Sequence, residues 1–513
     1  MEGALRCLST LISGRDVRRG ETRAEREVAW TEMFQQMETH LGTIGVDVAR
    51  LQAVHVAGTK GKGSTCAMVE RILRERGYKT GLFTSPHLVD LRERIRIGGR
   101  VLPEAVFLGH FWAVWDQLHA SAGATGMPAY FRFLTLLALK VFVEERVDVA
   151  VLEVGIGGRL DATNVCHPVV TGVTSLGYDH MQLLGDTIEL IAAEKAGIFK
   201  RSVPALVAQG QEPGALDVLK AKADAAEVSS FQVVPPLETY RVDGGSGDVP
   251  ATLADVEIGL AGQHQRLNAA LAVALCSAWE TSRPRPGIPH PFPTRDAVPA
   301  SYARGLAKCA WPGRGQVLRD KPEPALTYFL DGAHTKESLK ACGAWFARGS
   351  AATAVASDAA VASAENLRSL SPAPRRVLLF YCQRDRDAET LLRELAAVFH
   401  ESNNDGTGPI DHAVFCPADS AYMSVARVHR DDETKDEAEA AWSAVSAAAW
   451  MRVAGPGARA HVFPNLSEAL SHLRAEAGLG TPVHALVTGS LYLVGDVLAR
   501  AGEPGLLDHL GED

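Results

Sequence analysis

The sequence predicts an α/β protein of two domains, and three observations support this fold class. The chain has 513 residues, which is more than one hydrophobic core usually organises. Apolar runs of strand length alternate with helix-length intervals, which is typical of a mostly parallel sheet covered on both faces. The runs form two series separated by the turn-forming pair Pro312-Gly313. We therefore expect an N-terminal domain at 1–310 and a smaller, Rossmann-like C-terminal domain at 311–513.

The expected strands are short runs rich in Val, Leu and Ile. They lie at 51–58, 79–85, 147–155, 168–177 and 202–209 in the first series, and at 325–334, 375–381, 412–417 and 483–490 in the second. Three further segments, 347–374, 401–409 and 429–440, are rich in small, polar or charged residues. We interpret these three as solvated insertions or surface helices without a role in chemistry.

The composition is that of a globular enzyme, with 46% apolar and 22% charged residues. A net charge of −9 argues against nucleic-acid binding, and no apolar run reaches the roughly 18 residues of a membrane span. None of the eight cysteines forms a CxxC pair, so we expect free thiols that pack as small core residues. The segment 4–12 predicts an amphipathic helix. A cytoplasmic location is favoured, and the arginines of 6–26 leave a mitochondrial one open.

A glycine-rich turn follows the first expected strand and precedes a helical pattern. It consists of Gly58, Thr59, Lys60, Gly61, Lys62, Gly63 and Ser64. Backbone N–H groups of such a turn and of the following helix point at a bound anion, and a lysine neutralises its charge. The turn therefore predicts a phosphate site in a P-loop ATPase-like domain. The alternative is a tight β–α turn that holds no ligand.

Gly63 occupies the position where a P-loop usually carries the Ser or Thr hydroxyl that binds Mg²⁺. The metal must then be held by groups from elsewhere. Ser85, Glu153, Asp179 and His180 all lie at or just after the carboxyl ends of expected strands. Ligands of open α/β sheets gather at the carboxyl ends of strands, so these groups predict a metal site beside the turn.

The motifs together resemble folylpolyglutamate synthase, of the Mur-ligase-like ATP-dependent amide ligases, and the resemblance is of the eukaryotic type. The resemblance extends over roughly 4–500 with the order preserved. It rests on HVAGTKGKGS, TSPHLVDLRERIRI, YFRFLTLLAL, EVGIGGRLDATN, SLGYDHMQLLGDTIELIAAEKAGIFK, GQHQRLNAALA, WPGR, LDGAHTKESL and VTGSLYLVGDVL. It implies a ligase that uses ATP and Mg²⁺, and it allows a monovalent cation as a further cofactor.

The resemblance assigns roles to individual residues of the first domain. Gly58 to Ser64 and Asn268 would contact ATP, with Lys62 on the β- and γ-phosphates. Ser85, Glu153 and His180 would bind Mg²⁺, joined by Lys195 if CO₂ carbamylates it, since a bare lysine cannot bind a cation. Alternatively, Lys195 pairs with phosphate or with Glu194. Phe131 and Asp161 match pterin contacts, although an aromatic at 131 also fits helix core.

Further assignments concern charge and the second domain. Arg92, Arg94, Arg96 and Arg100 form a dense basic run that could steer a polyanionic folate tail, or could be a solvated strand face. Arg314, at the predicted domain junction, and Asp331 match nucleotide contacts. Asp331 and His334 match residues near the γ-phosphate and the incoming glutamate. Ser490 matches a position linked to glutamate binding. Without the resemblance, Asp331 and His334 read as a capped β–α turn.

The implied reaction adds L-glutamate to the side-chain carboxylate of the terminal glutamate of a reduced folate. ATP would first convert that carboxylate to an acyl phosphate, which the amine of glutamate then attacks. Lys62, Lys195, Asp331 and His334 are the candidate catalytic residues, and the family suggests a monomer without nucleic-acid or membrane partners. Two alternatives stay open. One is a dihydrofolate synthase or bifunctional enzyme, and the other a P-loop nucleotide-binding switch without ligase activity.

Overall fold

A computed structural model describes most of the chain. The described residues are 1–12, 23–243, 250–283, 297–361, 373–401, 409–419 and 434–501. Within them the chain forms two compact units. The first contains Met1–Gly259 and His264–Ala310, and the second contains Leu260–Gln263 and the described residues from Trp311 onward. A four-residue segment of the N-terminal half therefore belongs to the second unit.

The first unit alternates strands and helices. Its helices are α1 (Glu2–Thr10), α2 (Arg23–Thr43), α3 (Lys62–Glu75), α4 (Glu104–Thr125), α5 (Tyr130–Glu144), α6 (Met181–Leu184), α7 (Ile188–Lys195), α8 (Pro213–Ala225), α9 (His264–Ser282) and α10 (Ala300–Ala307). Its strands are β1 (Ala53–Ala57), β2 (Thr80–Phe83), β3 (Ile95–Ile97), β4 (Arg100–Val101), β5 (Val149–Glu153), β6 (Pro168–Val173), β7 (Pro204–Val207), β8 (Ser230–Val233), β9 (Arg241–Asp243) and β10 (Ala297–Pro299).

The main sheet of the first unit has eight strands in the order β4-β3-β2-β5-β1-β6-β7-β8. From β2 to β8 all neighbouring strands are parallel, and β3 and β4 add an antiparallel edge. Every residue of β1 and β5 is buried, as expected for central strands with both faces covered. The carboxyl ends of β2, β5, β1 and β6 therefore lie side by side at one edge of the sheet.

The second unit is a smaller α/β layer structure. Its helices are α11 (Lys336–Val361), α12 (Ala388–Glu401), α13 (Thr434–Val453), α14 (Leu466–Ala477) and α15 (Leu491–Ala501). Its strands are β11 (Gln316–Arg319), β12 (Leu326–Leu330), β13 (Arg375–Phe380), β14 (His412–Phe415), β15 (Ala460–Val462) and β16 (Val483–Thr488). They form a sheet in the order β11-β12-β16-β13-β14-β15, which is parallel except for β11.

These observations confirm the predicted α/β fold class, and each of the nine expected strands contains an observed strand. The N-terminal amphipathic helix is also present as α1, with Ala4 and Leu8 buried. All eight cysteines are free, and all but Cys7 are buried, as predicted. Among the described helices, none has the length and apolar character needed to cross a bilayer.

Of the two interpretations of 347–374, a solvated insertion is wrong at its beginning, which is helical and partly buried. This stretch continues α11, in which Ala347 and Ser350 are buried against the second unit's core. Small residues at these positions let the helix pack closely, and that pattern resembles a polar surface segment in the sequence. The residues 362–372, 402–408 and 420–433, which make up much of the three segments, lie outside the described part of the chain.

Ser350 connects α11 to the central strand β16 through a buried histidine. Its hydroxyl lies 2.8 Å from Nδ1 of His484 and accepts a hydrogen bond from Nε of Arg376 at 3.2 Å. The hydroxyl can donate its one proton to Nδ1 or accept a proton from it, depending on the tautomer of the ring. Burial, aided by the charge of Arg376, lowers the pKa of His484 to about 4.

We expect the second unit to lose stability as the pH falls from 6.5 towards 4. The unfolded chain protonates His484 at its ordinary pKa of about 6.5, whereas the folded chain does so only near 4. In this window the unfolded state binds more protons, so acid favours unfolding by on the order of 3 kcal/mol. Urea unfolding at a series of pH values measures this loss.

The matched variant is His484→Asn, whose side-chain oxygen can accept the Ser350 hydrogen bond but does not titrate. It should flatten the pH dependence between 6.5 and 4, whereas His119→Asn at an exposed position should leave it unchanged. An equal acid sensitivity in the His484→Asn variant and the parent protein would contradict this account.

Candidate active site

The glycine-rich turn after β1 is built on two glycines that no other residue could replace without strain. Gly58 has φ +151°, and a Cβ atom there would lie 1.8 Å from Oγ1 of Thr174. Gly61 has φ +85°, and a Cβ atom there would lie 2.1 Å from Oδ1 of Asn268. The predicted nucleotide contact Asn268 therefore packs directly against the turn.

The N–H groups of the turn are divided between two tasks. Those of Thr59 and Lys60 donate to the carbonyl of Ser175 at 3.0 and 3.1 Å, which ties the turn to the loop after β6. Gly61 is the N-cap of α3, and the first N–H groups of a helix have no acceptor within it. Together with the helix dipole, they are suited to bind an anion next to Lys62, the first residue of α3, as the sequence predicts.

Two predicted metal ligands meet at the ends of neighbouring strands. Glu153 is the last residue of β5, and its Oε2 accepts a hydrogen bond from the N–H of Ser85, just beyond β2, at 2.9 Å. Glu153 is only 5% exposed, so its carboxylate is held away from bulk water. The structure thus joins Ser85 and Glu153 beside β1, whose end carries the turn.

The loop after β6 carries the remaining strand-end candidates. Oδ2 of Asp179 lies 3.9 Å from Nζ of Lys60, and its Oδ1 accepts the N–H of His180 at 3.0 Å. Thr59 also exchanges hydrogen bonds with Gly177 in this loop. His180 has a left-handed backbone at φ +50° and is exposed at the start of α6. The loop with His180 is therefore fixed to the turn.

Lys195, the last residue of α7, is buried beneath the turn. Its Nζ donates to the carbonyl of Gly58 at 2.8 Å. Burial, followed by the charge of Lys62, lowers the pKa of Lys195 to about 7. The suggested pairing with Glu194 is not observed, because Oε1 of Glu194 accepts from Arg159 at 2.9 Å. Near neutral pH the Lys195 amine is therefore substantially uncharged.

Phe131 and Asp161 meet at Gly155, just after β5. A Cβ atom on Gly155 would lie 2.7 Å from Cζ of Phe131 and 3.2 Å from Oδ2 of Asp161. The Asp161 carboxylate accepts from the N–H groups of Gly155, Ile156 and Thr163 and from the Thr163 hydroxyl. Burial raises its pKa. These four hydrogen bonds show that Asp161 orders this loop, while a contact with a pterin stays a prediction.

The basic run at 92–100 does not form the exposed patch that its sequence suggests. Arg94 and Arg96 are buried, with 3% and 5% of their surface exposed. Arg94 donates to Nδ1 of His87 at 2.9 Å and lies over the ring of Tyr130. Arg92 binds the carboxylate of Asp90. For Arg94 and Arg96, both predictions, a patch that steers the folate tail and a solvated strand face, are therefore wrong.

The second unit gathers its predicted residues at the carboxyl ends of β12 and β16, which are neighbouring strands. Asp331 follows β12, and its two oxygens accept from the N–H groups of Ala333 and Gly315, each at 2.9 Å. A Cβ atom on Gly332 would lie 2.5 Å from Nη1 of Arg314. Asp331 thus orders the loop, as the capped-turn reading expects, and Arg314 lies beside it.

His334 and Ser490 complete this second group. Nδ1 of His334 lies 2.8 Å from the carbonyl of Gly332. A carbonyl can only accept, so Nδ1 carries a proton and donates it to this carbonyl. Ser490 is buried, and its hydroxyl accepts the N–H of Tyr492. The preceding Gly489 donates to the carbonyl of Ala333, which joins the two loops.

Sequence reasoning missed two residues that shape the turn. Thr174 packs against Gly58 and donates to the carbonyl of Ala57 at 3.4 Å. Gln265 lies 3.5 Å from the Ser64 hydroxyl and accepts from Nδ2 of Asn268 at 2.9 Å. The spacing of Gln265 and Asn268, three residues apart on α9, was the available signal, because such residues share a helix face.

Comparison with known proteins identifies the class first. A family profile described as the Mur ligase middle domain matches residues 133–276, which include β5, β6 and the loops that follow them. The first unit therefore contains a region of the Mur-ligase type.

The relatives narrow the class to a single family. Folylpolyglutamate synthase of Arabidopsis thaliana is 37% identical, with 97% of this chain and 87% of that protein covered. Mitochondrial folylpolyglutamate synthase of Homo sapiens is 38% identical, with 92% of this chain and 87% of that protein covered. The chain belongs to the folylpolyglutamate synthase family.

Solved structures show the same fold. Mycobacterium tuberculosis folylpolyglutamate synthase complexed with ADP and AMPPCP has a TM-score of 0.65 at 24% identity, covering 92% of this chain and 95% of that one. E. coli FolC in complex with DHPP and ADP has a TM-score of 0.63 at 25% identity, covering 97% of each chain.

Gly61→Ala should weaken binding of a non-hydrolysable ATP analogue by at least about tenfold. The new Cβ would collide with Asn268 and displace the helix N-terminus that forms the anion site. Isothermal titration calorimetry measures the change.

Gly77→Ala is the matched control for this substitution. Gly77 also has φ +85°, but nothing lies within 4 Å of its Cβ position. It should therefore cost only the backbone strain of about 1 kcal/mol in stability and leave nucleotide affinity unchanged. Equal losses of affinity in the two variants would refute the steric argument.

Proposed function

We propose that this chain adds L-glutamate to the side-chain carboxylate of the terminal glutamate of a reduced folate, at the expense of ATP. The observation that carries the proposal is the turn at 58–64, with the joined Ser85 and Glu153 beside it, in a member of the folylpolyglutamate synthase family. Relatives of this chain are named for this reaction. The first unit would bind ATP, and the second would bind glutamate.

A carboxylate is a poor electrophile, so amide formation requires activation. The γ-phosphoryl group of ATP passes to the folate carboxylate, and the amine of glutamate displaces phosphate from the resulting acyl phosphate. The protein contributes mainly positioning and charge neutralisation. Lys62 and the first N–H groups of α3 would hold the phosphates, with Lys60 and Asn268 beside them.

Magnesium fits the oxygen-rich group beside the turn. The donors would be Ser85, Glu153 and His180, because Gly63 offers no hydroxyl, and carboxylate and hydroxyl oxygens suit this hard cation. When bound, Mg²⁺ would neutralise charge on the phosphates. Ser85 and Glu153 already lie together, and the hydrogen bond from the Ser85 N–H orients the carboxylate.

The remaining residues would position the two acceptor substrates. Phe131, next to Gly155, offers an aromatic face to a pterin, while Arg92 and Asp161 would contribute through the loops they order. In the second unit, Arg314 and Asp331 would contact nucleotide, and Ser490 would bind glutamate. The hydrogen bond to Gly332 fixes the ring of His334, which would orient the attacking amine or the phosphoryl group.

A second candidate activity is dihydrofolate synthesis, alone or together with polyglutamylation. It is favoured by the likeness to E. coli FolC, whose structure contains DHPP, and by the buried Asp161. A nucleotide-binding switch is less well supported, because the second unit carries its own strand-end group of Asp331, His334 and Ser490.

Relatives described as mitochondrial support a mitochondrial site of action beside the cytoplasm, and we propose a monomer.

Incorporation of radiolabelled glutamate tests the proposal directly. We expect ATP- and Mg²⁺-dependent incorporation into tetrahydrofolate, and Lys62→Ala should lower kcat/KM by about 100-fold or more. Lys79→Ala, which removes a surface ion pair with Glu145, should leave the rate unchanged.

The choice of acceptor separates the alternatives. Incorporation with dihydropteroate alone would assign the chain as a dihydrofolate synthase, and incorporation with both acceptors would assign a bifunctional enzyme. ATP hydrolysis that needs neither folate nor glutamate would instead indicate the nucleotide-binding switch.

Carbamylation of Lys195 would add an anionic oxygen ligand at the metal site. The uncharged amine attacks CO₂, forming the N–C bond and releasing one proton, so the reaction is favoured as the pH rises through the pKa of about 7. After incubation with ¹³C-bicarbonate, we expect a carbamate signal in the ¹³C NMR spectrum that Lys195→Gln abolishes.

Lys200 provides the matched control for this experiment. Burial also lowers its pKa, and its Nζ donates to the carbonyl of Asn164 at 3.2 Å. Lys200→Gln should keep the carbamate signal. A signal that survives Lys195→Gln would show that another amine is modified.

A further inference from the structure

Three histidines and a glutamate converge at the amino-terminal edge of the second unit's sheet. His412 is the first residue of β14, and His461 lies in the neighbouring strand β15. His472 and Glu476 lie on α14. Asp331 and Ser490 follow the carboxyl ends of β12 and β16, so they lie at the opposite edge of this parallel sheet. The four residues therefore form a group separate from the candidate active site.

The fold dictates this convergence. His461 pairs in register with Val414, and residues two apart on a strand share a face, so His412 and His461 point to the same side of the sheet. His472 and Glu476 are four residues apart on α14 and so share one face of that helix. The ring centroids of His412 and His461 are 5.2 Å apart, and those of His461 and His472 are 5.1 Å apart.

The donor atoms are close but poorly satisfied. One ring nitrogen from each histidine lies within 4.8 Å of the others. Nε2 of His412 lies 3.2 Å from Oε2 of Glu476, yet both atoms are buried and neither makes an aligned hydrogen bond. Buried polar atoms in native proteins almost always have a partner, so this pair lacks something that would satisfy both.

We propose that His412, His461 and His472 bind a divalent transition-metal ion, with Oε2 of Glu476 as the fourth donor. Three imidazoles and a carboxylate suit Zn²⁺ in tetrahedral geometry. Zinc–nitrogen bonds of about 2.1 Å place tetrahedral donors about 3.4 Å apart, so the three histidine nitrogens, which lie within 4.8 Å of one another, must approach by up to about 1.4 Å on binding. The carboxylate of Glu476 lies against His412 and must turn towards the other two rings. Side-chain rotation of the more exposed His461 or His472 can supply that movement.

A neighbouring residue orients the carboxylate donor. Arg375 donates to Oε1 of Glu476 at 2.8 Å, which orients the carboxylate and leaves Oε2 turned towards His412. Such a hydrogen bond to a ligand from outside the metal site fixes its direction.

The ion would act as a structural cross-link rather than in catalysis. All four donors come from the protein, which leaves no open position for a substrate. They tie α14 to β14 and to β15, the last strand in the sheet order. An edge strand has a neighbour on one side only, so the bound metal would stabilise one of the two edge strands of this sheet.

The test is titration of the full chain, purified without a histidine tag and stripped with a chelator, with ZnCl₂ in excess Mg²⁺. Excess Mg²⁺ occupies oxygen-rich sites and competes poorly for imidazoles. Isothermal titration calorimetry should give one Zn²⁺ per chain, and zinc should raise the thermal unfolding midpoint. When cobalt replaces zinc, the visible absorption spectrum should be that of tetrahedral Co²⁺.

His461→Asn and His472→Asn should each weaken zinc binding by more than about tenfold. Glu476→Gln should weaken it while the stoichiometry stays at one. His167→Asn, at an exposed histidine of the first unit, is the matched control and should bind zinc like the parent chain. Circular dichroism and glutamate incorporation without added zinc establish that each variant is folded.

Absence of zinc binding by the parent chain would overturn the proposal. So would binding that is equally strong in His461→Asn and His472→Asn, because the ion would then occupy another site. Failure of the ligase assay would bear on the proposed function alone, since zinc binding is measured without substrates.

Discussion

The turn between β1 and α3 has no space for a Cβ atom at Gly58 or Gly61, and the geometry of the first unit's site depends on that restriction. Thr174 and Asn268 approach these glycines from two other elements, so a side chain at either position would collide with them. Two N–H groups of the turn are used up by Ser175, which leaves the helix N-terminus to face an anion. Lys195 then holds the carbonyl of Gly58 from below.

Both units use the same geometric device, in which loops after neighbouring parallel strands bring distant parts of the sequence together. In the first unit this joins Ser85 to Glu153, and in the second it joins the loop of Asp331 to that of Ser490. Gly489, with φ +95°, shows the same crowding as Gly58 and Gly61, because a Cβ atom there would lie 2.4 Å from the carbonyl of Tyr381. Tight packing at strand ends thus sets both groups of candidate residues.

The sequence predicted the features that depend on local pattern and on strand direction. The strands, the turn and the meeting of Ser85 with Glu153 follow from apolar runs and from the rule that parallel strands end at one edge. Burial of Arg94 and Arg96 could not be predicted, because it depends on partners such as His87 and Tyr130 that lie elsewhere in the chain. The histidine group was equally invisible, since it depends on strand register and on where α14 packs.

Membership of Leu260–Gln263 in the second unit changes how the two halves can be regarded as modules. The backbone passes from one unit to the other between Gly259 and Leu260, back between Gln263 and His264, and across again between Ala310 and Trp311. Neither half is therefore a contiguous piece of the gene. If relatives exchanged the C-terminal half at a single breakpoint near 310, the second unit would keep Leu260–Gln263 from the original protein. An exchange of the whole second unit must therefore include both Leu260–Gln263 and the chain from Trp311.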